Sequence, residues 1–122
     1  MSVATWMNSL LRSEADVEAD EIAAECARPG CLAISTLEPG QQVSVTGTVH
    51  SIAVPPKSQS PQIQVDLYDG SGIVELLWLG RRSICGIETG AYLTVRGRVA
   101  RDSAGERLRI YNPVYDLHPA RG

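Results

Sequence analysis

Val43-Ser44-Val45-Thr46-Gly47-Thr48-Val49 and Leu93-Thr94-Val95-Arg96-Gly97-Arg98-Val99 are two copies of one pattern, apolar-x-Val-x-Gly-x-Val. Strict alternation places Val43, Val45, Gly47 and Val49 on one face of an extended strand, and the second copy repeats the arrangement. A glycine inside a strand marks a tight bend or the close approach of another part of the chain. Beyond His50 the apolar set of the first copy slips phase to Ile52 and Val54, as it does when a β-bulge interrupts a strand that continues. A long, coiled first strand of this kind suits a small barrel.

The remaining strands are read outward from these two. Pro55-Pro56-Lys57-Ser58-Gln59-Ser60-Pro61 is a loop. Gln62 to Asp69 alternates cleanly, with Ile63, Val65 and Leu67 inward, and Asp69-Gly70-Ser71-Gly72 has hairpin-turn chemistry. The return strand, Ile73 to Leu79, turns Val74, Leu76 and Trp78 inward and Glu75 outward. Gly80 to Ile87 is a connector with room for one helical turn, closed by Glu88-Thr89-Gly90. Asp102-Ser103-Ala104-Gly105 leads into a fifth strand, Arg107 to Tyr111, which Asn112-Pro113 ends, leaving a short tail. The fold class is mainly β: a five-stranded Greek-key barrel preceded by an N-terminal α-helical segment.

That leading segment, residues 2–27, is rich in helix formers and free of Gly and Pro. Trp6 with Leu10 and Met7 with Leu11 form a short apolar stripe. Ser13-Glu14-Ala15-Asp16 is an alternative cap for a second helix, and Arg28-Pro29-Gly30 is the stop. The expected division is residues 1–30 as an acidic helical segment and 31–122 as the barrel domain.

With 122 residues there is room for one ordinary domain, and its core is built from Val, Ile and Leu, since Phe is absent. The formal net charge of −3 hides an uneven division. Residues 1–41 carry two basic and seven acidic side chains, net −5; residues 42–122 carry nine basic and seven acidic, net +2. The domain that would meet a polyanion is thus mildly basic although the whole chain is acidic. No stretch approaches the ~18 apolar residues of a membrane span, and Arg12 and carboxylates follow Leu11 too soon for a signal peptide, so a cytoplasmic location is expected. Cys26, Cys31 and Cys85 match no zinc spacing and read as ordinary reduced thiols, a Cys26–Cys31 redox pair being the sharper alternative. His50 and His118 stand apart from any nucleophile or paired carboxylates. No catalysis, metal site or cofactor is expected.

The series Glu38-Pro39-Gly40, Val45 to Val49, Asp69 to Gly72, Leu93 to Val99 and Asn112-Pro113-Val114-Tyr115 resembles the OB-fold nucleic-acid-binding superfamily over about residues 34–117. Within it, the likeness is nearest to the wedge domain of the RecG-type branch-migration helicase. The helicase motor and a phosphate-binding Gly-rich loop with Lys are absent, so the resemblance implies a binding module alone. It also implies a site on the outer face of strands 2 and 3, flanked by the loops between strands 1–2 and 4–5.

Candidates for that site are Gln62, Gln64 and Tyr68 on strand 2, Arg107, Arg109 and Tyr111 on the neighbouring fifth strand, Lys57 and Arg101 in the loops, and Arg81-Arg82 after strand 3. Arginines hold phosphates, tyrosines stack on bases, and Gln side chains bond base edges. Asp66 and Glu75 fall on the same face and repel phosphate unless arginines pair them. Trp78 reads as core ahead of stacking. Arg96 and Arg98, outward on strand 4, face either nucleic acid or the acidic helix. The expected partner is nucleic acid, single-stranded DNA ahead of RNA. A protein partner or a second copy, reached through the acidic helix, is a further expectation. The rival class is a protein-interaction adaptor, for which the face would be broken by Asp66 and Glu75 and expose Leu77 and Leu79.

Overall fold

The computed structural model describes residues 14–102 and 104–119. The expected apolar stripe of Trp6, Met7, Leu10 and Leu11 lies outside the described residues. Helix α1 (Glu14–Cys26) is followed by a 3-10 turn at Ile34–Thr36 and six strands: β1 (Gln42–Ala53), β2 (Gln62–Tyr68), β3 (Ile73–Leu79), β4 (Tyr92–Arg101), β5 (Leu108–Tyr111) and β6 (Val114–His118). Among the described residues no helix is long and apolar enough to cross a membrane.

The ring runs β1-β2-β3-β5-β4 and closes because β4 also pairs with β1. β3 and β5 are parallel, and the other pairs are antiparallel. β1 is long enough to serve both neighbours: Gln42 to Thr48 pairs with β4, and Thr48 to Ala53 with β2. The phase slip at His50 is a bulge between Val49 and Ser51. Alternation fills the interior with fully buried Val45, Val65, Leu67, Val74, Leu76, Leu93, Val95 and Ile110. The repeated glycine has a packing reason. A Cβ on Gly97 would sit 2.5 Å from Ile110 Cγ2, and one on Gly47 2.7 Å from Leu67 Cγ and 2.9 Å from the Tyr68 carbonyl oxygen. At both places a neighbouring strand comes in where a side chain would stand.

Two expectations are corrected. The connector after β3 makes turns and no helix, dropping Ile84 and Ile87 into the core instead. The chain after Asn112-Pro113 is also more than a tail: β6 pairs antiparallel with β4 from Tyr92 to Arg96. It is held by Tyr115, whose ring meets Trp78 edge-on at 5.8 Å and whose hydroxyl donates to the Cys85 carbonyl at 3.3 Å. Leu117 completes the seat by packing on the space left at Gly86.

The register defines two ends. The β2–β3 turn, residues 69–72, lies at one; the β1–β2 loop and the exit of β3 lie at the other, where the Gly80 N–H reaches the Pro61 carbonyl at 2.9 Å. Seven-residue strands separate them by roughly 20 Å. Helix α1 covers the turn end. It buries Ile22 and Cys26, and the Ala19 carbonyl and Ala23 lie so close to Gly70 (φ +89°) that a Cβ there would collide with both. The Asp69 carboxylate ties this end together, accepting from the backbone N–H of Ile34, Ser71 and Gly72 and from the Ser71 hydroxyl. Burial first, then the Asp69 and Glu25 charges, pushes the Cys26 thiol up to about 11, so it stays protonated at neutral pH.

Candidate nucleic-acid interface

β3 and β5 lie side by side with Glu75 opposite Arg109 and Leu77 opposite Tyr111, and β2 sets Asp66 opposite Glu75. Alternation therefore gathers Gln64, Asp66, Glu75, Arg107 and Arg109 on one outer surface. Glu75 is only 2% exposed although it points away from the core, because its neighbours close over it. Arg109 pairs with it directly, Arg107 approaches it at 3.4 Å, and Gln64 donates to it at 3.2 Å. Arg107 also reaches Asp66 at 3.5 Å, and the Ser51 hydroxyl donates to the same carboxylate at 3.2 Å. Two carboxylates and two guanidinium groups leave this patch with no net charge. The repulsion expected from Asp66 and Glu75 is cancelled, and so is most of the attraction expected from Arg107 and Arg109.

The two arginines differ. Arg109 is 17% exposed and donates to the Tyr111 hydroxyl at 3.1 Å, with its guanidinium 5.5 Å from that ring's centre. Burial works to lower its pKa, but the Tyr111 hydrogen bond and the Glu75 charge outweigh burial and raise it, so Arg109 stays charged. Arg107 is 46% exposed and holds both carboxylates at long range, leaving it able to exchange them for another anion.

Arg81 and Arg82, adjacent in sequence, go separate ways. Arg82 turns back under the proline-rich loop and donates to four carbonyls: Pro55 at 3.2 Å, Pro56 at 3.4 Å, Lys57 at 3.1 Å and Gln59 at 2.7 Å. Its planar fork suits that cluster, and the donors meant for phosphate are spent on the loop. Arg82, expected to meet phosphate, is placed so as to fix the loop that carries Lys57. Arg81 stays exposed at the exit of β3, and Lys57 is exposed in the loop that Arg82 holds. Arg101 is exposed at the end of β4, where it donates to the Gly105 carbonyl at 3.2 Å.

The other candidates scatter. Gln62 is half-buried at the loop end opposite Leu79. Tyr68 lies at the far, turn end, its ring 5.9 Å from His50 in the wall of a groove shared with Glu18, Glu21 and Glu25 of α1. The helix thus turns these three carboxylates toward His50, Tyr68 and Tyr92. Arg98, on the face expected to meet the helix or nucleic acid, donates to the Gly40 carbonyl at 3.3 Å. Trp78 is core, with its indole N–H donating to the Pro113 carbonyl at 3.0 Å. Leu77 is buried and Leu79 is 52% exposed, so half of the apolar patch expected of an adaptor is present.

Asn112, read from sequence only as a strand stop, has a larger part. It is the one non-glycine residue with positive φ (47°) among the described residues, and it does so ahead of a proline. Its N–H donates to the Leu77 carbonyl at 2.7 Å and its Oδ1 accepts the Leu79 N–H at 2.9 Å. Asparagine tolerates this region better than other side chains, which was the signal available.

Solved structures show the fold. RecG bound to a three-way DNA junction superposes with a TM-score of 0.59 at 22% identity, over 75% of this chain and 13% of that one. The second OB-fold domain of replication protein A from Methanococcus maripaludis gives 0.58 at 17% identity, over 74% of this chain and 96% of that one. The chain folds as an OB barrel. A third neighbour, an OBody bound to hen egg-white lysozyme, gives 0.58 at 16% identity over 77% and 98% of the two chains. No family model matches the chain, and no curated protein matches it.

Proposed function

We propose that this OB barrel binds nucleic acid, single-stranded DNA or a DNA junction ahead of RNA, with little sequence preference and without catalysis. The observation that carries the reading is a division of labour. The strand face is charge-neutral, rich in hydrogen-bonding groups and edged by Tyr111, which is 43% exposed. The exposed cations Lys57, Arg81 and Arg101 stand at its rim. Bases sit on a neutral face with less desolvation cost than on a charged one, while rim cations take the phosphates. RecG, bound to a DNA junction through a chain that includes this fold, supports the reading.

Three rim cations give a log Kd versus log salt slope of magnitude about 2 on a single strand. The test is fluorescence anisotropy of a labelled ~20-nucleotide strand at low and moderate salt, with Lys57→Ala/Arg81→Ala as the variant. Salt-sensitive binding weakened by the variant supports the proposal; no binding at low salt ends it.

A protein-interaction adaptor is the second reading. It is favoured by Leu79, Tyr111 and Val114, all exposed and close in sequence or hydrogen-bonding to Asn112. The OBody held on lysozyme is this fold engaging a protein.

A further inference from the structure

Between the exit of β3, the connector and β6 lies a pocket of about 350 Å³, lined by Trp78, Arg81, Ile84, Asn112, Pro113, Val114 and Tyr115. It adjoins the rim of the β2–β3–β5 face at Arg81 and sits at the low end of the ~300–1,000 Å³ range of small-ligand sites. Its body is apolar and partly aromatic. Two groups at its edge are polar, Arg81 and Asn112, and both are exposed.

Asn112 carries the argument. The Leu79 N–H occupies the carboxamide oxygen, which settles which end of the amide is which. Asn112 lines the pocket, and the two Nδ2–H donors are the other end of its amide. A left-handed conformation in a residue before proline costs energy, and the β3–β5 contacts of Asn112 hold it there. The side chain is therefore a fixed donor. Asparagine ordinarily reads adenine by donating to N7 and accepting from N6 at once. Here one of the acceptor's two lone pairs is held by the Leu79 N–H, which works against the paired adenine contact and leaves the Nδ2–H donors to lead.

We infer that this pocket takes one splayed nucleotide of a bound strand and favours a base that offers a carbonyl oxygen at its edge. Arg81 meets the phosphate, Ile84, Pro113, Val114 and Tyr115 meet the flat apolar faces, and Asn112 donates to thymine O4 or guanine O6. Cytosine and adenine present an amino donor at the equivalent position, which opposes the Asn112 donors. The inference rests on the nucleic-acid reading above and adds to it a base preference with a stated cause.

Thymine and cytosine compare cleanly, because both are pyrimidines of one size. Full-length protein titrated with labelled dT20 and dC20 at one salt concentration should bind dT20 about fivefold tighter, the worth of about one net hydrogen bond. Asn112→Asp keeps the acceptor for the Leu79 N–H and replaces the donors by a carboxylate oxygen. It should bring the dT20/dC20 ratio to one or below. Asn112→Gly relieves the backbone strain, which offsets the lost Leu79 hydrogen bond, and should also erase the preference with little change in thermal stability. The ratio is taken within one preparation, so a fraction of misfolded variant does not alter it. Equal binding of both strands by the unsubstituted protein, or a ratio unmoved by Asn112→Asp, overturns the pocket and leaves the proposed function standing. Failure of both strands to bind overturns both.

Discussion

Glu75→Gln should move stability and affinity in opposite directions. In the folded chain Glu75 is buried beneath Arg109, Arg107 and Gln64. Breaking a buried ion pair by removing one partner costs about 3–5 kcal/mol, since the other charge stays behind without compensation. Glutamine keeps one acceptor oxygen, and Arg109 keeps Tyr111, so about 2–3 kcal/mol is the expected loss. At about 4 °C per kcal/mol, where the ranges for smaller and larger domains meet, the midpoint of thermal unfolding should fall by roughly 8–12 °C. The patch meanwhile passes from zero to one net positive charge, and Arg107 is left with Asp66 as its only carboxylate. One more cation available to phosphate steepens the salt slope by about 0.7 on a single strand. The assays are calorimetry for the midpoint and anisotropy at 10 °C, well below it, for the affinity. A midpoint that does not move refutes the buried network. A lower midpoint with weaker DNA binding and an unchanged slope refutes the claim that Glu75 holds the arginines back.

Gly97→Ala places a methyl group 2.5 Å from Ile110 Cγ2 and should cost about 1–3 kcal/mol by overpacking, read as a lower urea midpoint at unchanged m; equal midpoints would show that the barrel yields there. Burial first, then the Arg28 charge, holds the His118 imidazole below its ordinary 6.5, and the Thr94 hydroxyl lies 2.6 Å from its Nε2. The folded chain thus takes up this proton less readily than the unfolded one, so stability is full above pH 6.5 and falls as pH drops through that value. His118→Gln should flatten this part of the slope between pH 7.5 and 5.5, and a pH dependence equal to that of the unsubstituted protein would remove His118 as its source. Tyr111→Ala removes the exposed ring beside Arg109 and should weaken single-strand binding about fivefold or more, at the low end of what stacking contributes, leaving the salt slope as it was. A change confined to the slope would mean that Tyr111 acts through charge and not through stacking.

The barrel was legible because its strands alternate and two of them share a glycine. Both signals are local, and both follow from the geometry of a pleated strand with one buried face. The bulge was legible too, as the slip at His50, and so was the placing of β5 beside β3. β6 was not: Val114 and Leu117 are both exposed while Tyr115 is half-buried, a pattern with no clean period. What holds β6 is distant in sequence, namely Trp78, Cys85 and Gly86. The site was read in part. Alternation put Asp66, Glu75, Arg107 and Arg109 on one face and raised their pairing as a condition, which the structure meets. Which arginine lies deeper and which stays exposed depends on depth, and sequence spacing carries no depth. The parting of Arg81 from Arg82 depends on a loop more than twenty residues earlier whose carbonyls converge on one guanidinium.

The two ends of the barrel give the proposed interface a direction. Glu18, Glu21 and Glu25 border the groove at the turn end, where Arg101 is also placed by its pairing with Leu108, and Lys57 and Arg81 stand at the loop end, a strand length away. A polyanion entering this field is drawn more strongly to the loop end than to the turn end, where three carboxylates outnumber Arg101, so the charge distribution orients it along β2 and β3 before any base is in contact. The acidic helix then acts on the site from a distance and needs no contact with Arg107 or Arg109. That arrangement also explains how a chain of net charge −3 presents a surface suited to phosphate: the negative charge is concentrated in the leader, and the barrel holds it at the end farthest from Lys57 and Arg81.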